Sequence, residues 1–126
     1  MGDGVTIAGY GVLSERARGT ARTLRQTNLV SLGPIEVANR VLIVVDRDRL
    51  GELAGAGACR GDSGGPILAA TSTSYQLYGI TSWSSGPLRG RVPSACGGLT
   101  AVTPVAEHVR WIVGSMQSLG GTWAGN

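Results

Sequence analysis

Hydrophobic and polar positions along the 126-residue chain fall into short, alternating or continuously apolar runs separated by glycine-rich punctuation. Residues 4–12 (Gly4-Val5-Thr6-Ile7-Ala8-Gly9-Tyr10-Gly11-Val12) are β-branched and broken by glycines, which predicts a strand with a bend. A polar loop follows over 13–20. From Arg22 to Leu32, Thr23, Arg25 and Thr27 roughly alternate with Leu24, Gln26 and Leu29, the pattern of a half-exposed strand. Gly33-Pro34 is expected to end it, with a short helix over 35–40. Val41 to Val45 is a continuous apolar run of strand length, closed by Asp46 and the charged cluster through Arg49. The glycine- and alanine-rich segment Gly51 to Gly57 leads into a tight loop. Pro66 to Ala70, Tyr75 to Trp83 and Gly98 to Val102 read as three further strands, joined by a Thr/Ser turn at 71–74 and a polar loop over 86–93. Pro104 then opens a helix in which Val105, Val109, Ile112 and Met116 form one apolar stripe, and Gly120-Gly121 stops it. Six strands and a terminal helix, without repeats or a linker, predict one all-β domain over residues 1–126, most simply an antiparallel barrel.

Composition narrows the function classes. Hydrophobic residues at 42% and charged residues at 15% describe a chain able to build its own core. No apolar run approaches the roughly 20 residues of a membrane-spanning helix, so no membrane partner is expected. The net charge of +3 comes from scattered arginines, with no lysine and no aromatic interleaving. That argues for solubility and against nucleic acid. The N-terminus lacks a basic segment followed by an apolar one, so no signal peptide is visible. Met1-Gly2 with Thr6 formally fits a myristoylation pattern but runs straight into a strand. Nothing calls for a cofactor or a metal. Two cysteines, Cys59 and Cys96, allow either one disulfide or two buried thiols.

The chemistry concentrates in Ala58-Cys59-Arg60-Gly61-Asp62-Ser63-Gly64-Gly65-Pro66. A serine framed by glycines, with an acid before it and a proline closing the loop, reads as an exposed nucleophile held by a backbone-rich turn. Acyl transfer from serine needs a nucleophile, a base and donors for the developing oxyanion. The run resembles the nucleophile loop of the trypsin/chymotrypsin family of serine proteases, repeating GDSGGP letter for letter. Gly9-Tyr10-Gly11 looks like the Gly-Trp-Gly that opens the second barrel of that fold. Ser82-Trp83 resembles its Ser-Trp-Gly substrate strand, Gly98-Leu99-Thr100-Ala101-Val102 its Gly-Val-Tyr-Thr-x-Val strand, and Val109-Arg110-Trp111-Ile112 its closing helix. These matches occur in the family's order.

The resemblance implies the second, C-terminal barrel of a trypsin-like fold, a secreted serine endopeptidase with a polypeptide substrate. It makes Ser63 the nucleophile and gives the oxyanion hole to the backbone N–H groups of Gly61 and Ser63. Gly61 suits that place, because a side chain would crowd both the carbonyl and the backbone angles. In the family the acid at Asp62 pairs with an N-terminal amine released by zymogen cleavage, so here Asp62 is expected to lack its partner. Gly57 falls at the base of the specificity pocket, with Ala58, Arg60, Ser82, Trp83 and Ser84 contacting substrate and a Cys59–Cys96 disulfide tying the walls. Gly57 in place of an acid argues against arginine or lysine substrates. Ser84 in place of the usual glycine narrows the entrance and favours small or medium uncharged side chains. The stretch from Cys96 to Thr100 is shorter than the family pattern.

The base is the missing piece. His108 is the single histidine and falls in the terminal helix, a structural or exposed position, while the family's histidine and aspartate lie upstream in a first barrel. Asp46 and Asp48, in a polar loop among arginines, are expected to be solvated. The resemblance therefore describes half of an enzyme, and Met1-Gly2-Asp3-Gly4 placed abruptly before an internal strand favours a truncation as a third reading. The expected partner of that half is an N-terminal barrel carrying the histidine and aspartate, and its uncovered apolar face should drive self-association. Alone, such a chain is expected to be weak or inactive. The alternative is a catalytically silent protein-binding module. A Gly-x-Ser-x-Gly hydrolase elbow fails, because Glu107 is the one downstream acid and adjoins His108. The Arg60-Gly61-Asp62 adhesion-type tripeptide belongs to the nucleophile loop.

Overall fold

The computed structural model describes residues 4–13, 23–37, 39–90 and 93–121. Six strands, β1 (Gly4–Gly9), β2 (Arg25–Val37), β3 (Asn39–Val45), β4 (Pro66–Ala70), β5 (Tyr75–Ser84) and β6 (Thr100–Pro104), precede a 3-10 turn (Val105–His108) and helix α1 (Val109–Ser118). The strands close into a barrel in the order β1-β2-β3-β6-β5-β4, every pair antiparallel, with β4 returning to β1. Closure leaves no open edge among the described strands. The expected all-β antiparallel barrel with a C-terminal helix is the fold observed.

Burial explains why the run at 41–45 is continuously apolar. Leu42 and Val44 pack with Val5, Ile7, Leu29, Ile67 and Val102 in one cluster, while Val41, Ile43 and Val45 pack with Val30 and Ala101 in a second. Both faces of β3 are therefore covered, the second partly by Trp83 and Leu99. A strand buried on both faces loses the alternating signature.

Two boundaries differ from the sequence expectation. The described residues of 35–40 form no helix: β2 runs through Gly33-Pro34 to Val37 and pairs with β3, Ile35 against Val41 and Glu36 against Arg40. A register shift between Ser31 and Gly33 absorbs the irregularity, and the Ser31 hydroxyl accepts the Gly33 N–H at 3.2 Å. Proline is tolerated in a strand beside such a bulge. The helix is also shorter than expected, since Pro104 ends β6 and a 3-10 turn intervenes before Val109. Its stripe of Val105, Val109, Ile112 and Met116 is half-buried, and Trp111 is 73% exposed. The Gly120-Gly121 stop is as expected, with the Gly121 N–H donating to the Met116 carbonyl at 2.7 Å.

Candidate functional site: the Ser63 loop and its supports

The loop carrying Ser63 is folded from both ends before any chemistry is considered. Upstream, Asp46 closes β3. Its Oδ1 accepts the amides of Asp48 (2.9 Å) and Arg49 (3.2 Å), and its Oδ2 reaches across to the amide of Ala56 (2.9 Å). The Ala56 amide, followed by that of Asp48, holds the Asp46 carboxyl below its ordinary value of 3.8. Asp46 is thus a structural tether, while Asp48 is exposed as expected. Downstream, the Gly64 N–H donates to the Thr81 carbonyl (2.8 Å) and the Thr81 N–H to the Gly65 carbonyl (2.9 Å), laying the loop along β5. Inside it, the amides of Asp62 and Gly65 donate to the carbonyls of Cys59 (3.1 Å) and Asp62 (3.0 Å), which makes the turn tight.

Asp62 is not left unpaired. Its Oδ1 accepts the Gly11 N–H and its Oδ2 the Cys59 N–H, both at 2.9 Å. Two backbone donors satisfy the half-buried carboxylate, and neither was foreseen from the sequence, although Gly11 belongs to the Gly9-Tyr10-Gly11 triplet singled out there. Gly11 must be glycine, because a Cβ there would stand 2.6 Å from the Asp62 carboxylate. With both oxygens engaged inward, the Arg60-Gly61-Asp62 tripeptide is not displayed as an adhesion epitope. The Arg60 carbonyl accepts the Val12 N–H at 3.0 Å, a second tie between this loop and the end of β1.

Ser63 is exposed, and its Oγ donates to the Ser82 carbonyl at 3.3 Å. Gly61 has φ of +95°, and a Cβ on it would lie 3.1 Å from the Gly11 Cα, so both backbone and space demand glycine. Among the described residues, no protein acceptor takes the Gly61 or the Ser63 amide hydrogen.

The neighbouring walls come from three segments. Cys59 and Cys96 form a disulfide with Cα atoms 4.4 Å apart, joining the loop to the segment before β6. The Ala58 N–H donates to the Thr100 Oγ1 at 2.9 Å, and Thr100 is fully buried. Ser84 Oγ donates to the Ala95 carbonyl, while Ser85 and Leu99, and Gly98 and Ser85, are joined by backbone hydrogen bonds of 2.9 and 3.0 Å. Ser82 meets Ser63 through its carbonyl and Ser84 meets the Ala95 segment, while Gly57, Ala58 and Arg60 lie on the segment bridged to Cys96. Trp83 turns to the other face of β5 and packs with Leu99 and Ala101 against the Val41, Ile43 and Val45 cluster. Thr100, which holds the Ala58 amide, was missed in the sequence because its significance lies in its register opposite Ser84.

A cavity of about 210 Å³ opens beside Asp62, lined by Ile7, Gly9, Val12, Arg25 and Ala56 among others. His108 does not join the site. It is exposed at the end of the 3-10 turn that follows Pro104, and Pro104 pairs with Gly79. Ser63 meets β5 at Ser82, roughly 10 Å further along the strand at its usual rise. The hydrogen-bond partner of Ser63 Oγ is a carbonyl, not an imidazole.

An exposed serine thus sits on a tight, glycine-bearing turn beside a disulfide-bridged segment on a closed antiparallel barrel. The family model described as Trypsin matches residues 1–112, and the chain belongs to the trypsin family. It is 30% identical over 121 residues to the serine proteinase stubble of Drosophila melanogaster, covering 87% of this chain and 15% of that protein. It is 32% identical over 111 residues to the human hepatocyte growth factor activator serine protease, covering 84% of this chain and 16% of that protein. The chain thus spans about one sixth of the length of these relatives.

Proposed function

We propose that this chain carries the nucleophile half of a serine endopeptidase and works with a histidine and an aspartate supplied from outside it by an N-terminal barrel. Ser63 attacks the scissile carbonyl of a polypeptide, and the Gly61 and Ser63 amides receive the oxyanion. Asp62, held by Gly11 and Cys59, fixes the turn that presents them. The observation that carries this reading is an exposed Ser63 whose hydroxyl rests on a carbonyl, in a turn where, among the described residues, neither the Gly61 nor the Ser63 amide has a protein acceptor. The cavity beside Asp62 offers a docking place for an activating N-terminal residue. Gly57 leaves the pocket base without an acid, which favours an uncharged side chain at the residue preceding the scissile bond (P1). The disulfide suits secretion into an oxidising compartment. Exposed Trp111 and Leu119 provide apolar surface for self-association in the absence of a covering barrel.

Without its base a serine hydroxyl is a poor nucleophile, and the remaining oxyanion site supports only residual catalysis. The chain alone is therefore weakly active or inactive. Fluorophosphonate labelling read by intact mass and peptide mapping tests the assignment. Slow modification confined to Ser63 and lost in Ser63→Ala is expected. His108 standing apart from Ser63 favours a second reading, a catalytically silent binding module. A folded chain that never labels at Ser63, even with imidazole added as a base, would replace the first reading by the second.

A further inference from the structure

Strand pairing leaves a hollow at the end of the barrel away from Ser63. β1 and β2 oppose Gly4 to Val30 and Thr6 to Asn28, so these four positions share one face of the sheet. Gly4 has no side chain to set against Val30, and a Cβ built there would meet no atom within 4 Å. The gap belongs to a cavity of about 300 Å³, whose lining also includes Arg47, just past β3, and Ala70, at the end of β4. Along β1 it lies roughly 17 Å from Gly9, against which the Asp62 carboxylate packs. None of its lining residues belongs to the Ser63 loop or supports that loop.

The polar side chains on this hollow are donors in want of an acceptor. The Thr6 hydroxyl donates to Asn28 Oδ1 at 2.9 Å, which occupies the amide oxygen and leaves the NH2 group facing elsewhere. Among the described residues no acceptor takes that NH2, and no carboxylate pairs with the Arg47 guanidinium. Asp46, beside Arg47 in sequence, spends both oxygens on the amides of Asp48, Arg49 and Ala56. No acidic side chain among the described residues lines the cavity. A planar guanidinium and an amide NH2 on one cavity match the two oxygens of a carboxylate. Gly4, Val30 and Ala70 offer no side-chain partner to a second polar group, so the rest of the ligand is apolar. A cavity of about 150 Å³ holds a benzene ring, and this one has room for a head group and a short chain. We propose that the hollow binds a short aliphatic monocarboxylate of about four to six carbons, its head on Arg47 and Asn28 and its chain over Gly4. The site is independent of the role of Ser63.

Titration of the full 126-residue chain with acetate, butanoate, hexanoate and hexanol, followed by 1H–15N NMR, tests this. Hexanoate is expected to bind saturably at one site, shifting the amides of Gly4, Thr6 and Ala70 and the side-chain NH2 of Asn28, while the amides of residues 59–65 stay in place. It should bind at least about 10-fold more tightly than acetate, because its added methylenes are covered by the cavity. Hexanol, of the same length without the charge, should bind at least about 10-fold more weakly than hexanoate. Arg47→Gln should weaken hexanoate about 10-fold and leave hexanol within about 2-fold. Gly4→Leu, which fills open space, should abolish hexanoate binding in a chain that keeps its Tm. Arg47→Gln alone decides the matter if the Gly4 variant does not fold. Equal binding of acetate and hexanoate, or of hexanol and hexanoate, overturns the proposal. So does hexanoate affinity unchanged in Arg47→Gln, or shifts that never saturate.

Discussion

Replacing Asp62 by asparagine puts the support of the Ser63 loop to a quantitative test. The carboxylate accepts two backbone amides, from Gly11 and Cys59, each at 2.9 Å. Asparagine keeps one acceptor and turns an NH2 group toward the other amide. Loss of a hydrogen bond to a charged group costs about 1.5–3 kcal/mol, and a partly buried amide left facing a donor adds about 1 kcal/mol. The sum, about 3 kcal/mol, cannot be relieved by a shift of the side chain, because Gly9 and Gly11 pack against it closely enough that a Cβ on either would overlap it. At roughly 4 °C per kcal/mol for a domain of this size, Tm should fall by about 12 °C. Urea unfolding followed by far-UV circular dichroism gives the free-energy difference, and thermal melts give Tm. Asp48→Asn, at an exposed carboxylate of the preceding loop, serves as the control and should stay within about 0.5 kcal/mol of wild type. An Asp62→Asn chain as stable as that control would show that the two amide bonds do not hold the loop.

Three further outcomes follow from the same contacts. Thr81 is buried with its Oγ1 unpartnered, so Thr81→Val, which replaces the hydroxyl by a methyl of similar size, should stabilise the chain by about 1 kcal/mol in urea unfolding; a destabilised variant would mean the hydroxyl is satisfied. The Asp46 carboxyl is held below its ordinary 3.8 chiefly by the Ala56 amide, so its stabilising effect is full above that value and is lost as pH falls through the lower folded value. The stability difference between wild type and Asp46→Asn should accordingly be constant from pH 5 to 7 and shrink below about pH 4; a difference that persists unchanged at pH 2 would contradict the tether. Reducing Cys59–Cys96, a bridge with a sequence separation of 37, should cost about 3–4 kcal/mol, measured by denaturant unfolding with and without reductant. No change on reduction would place the loop's stability elsewhere.

The barrel was legible because its strands carry their own signals: alternation, apolar runs and glycine punctuation. The hairpin at 35–40 was not, since Gly33-Pro34 reads locally as a stop, and only pairing with Val41 and Arg40 turns it into a bulge within a strand. The Ser63 loop was legible as a motif, yet its supports were not. Gly11 lies 51 residues from Asp62, and Thr100 lies 42 residues from Ala58. Contacts at that range are set by barrel closure, and no local pattern encodes them. The expectation of an orphaned Asp62 failed for the same reason. It considered the missing amine and not the backbone donors that a closed barrel brings within reach.

The central claim is that Ser63 is a presented nucleophile whose base comes from outside the chain. Its most direct test is the rate of fluorophosphonate attachment to Ser63 as free imidazole is added, with Ser63→Ala and His108→Ala measured alongside. The account predicts slow labelling confined to Ser63, rising in proportion to imidazole and unchanged in His108→Ala. Rapid labelling that ignores imidazole and disappears in His108→Ala would show that the chain holds its own base and contradict the account.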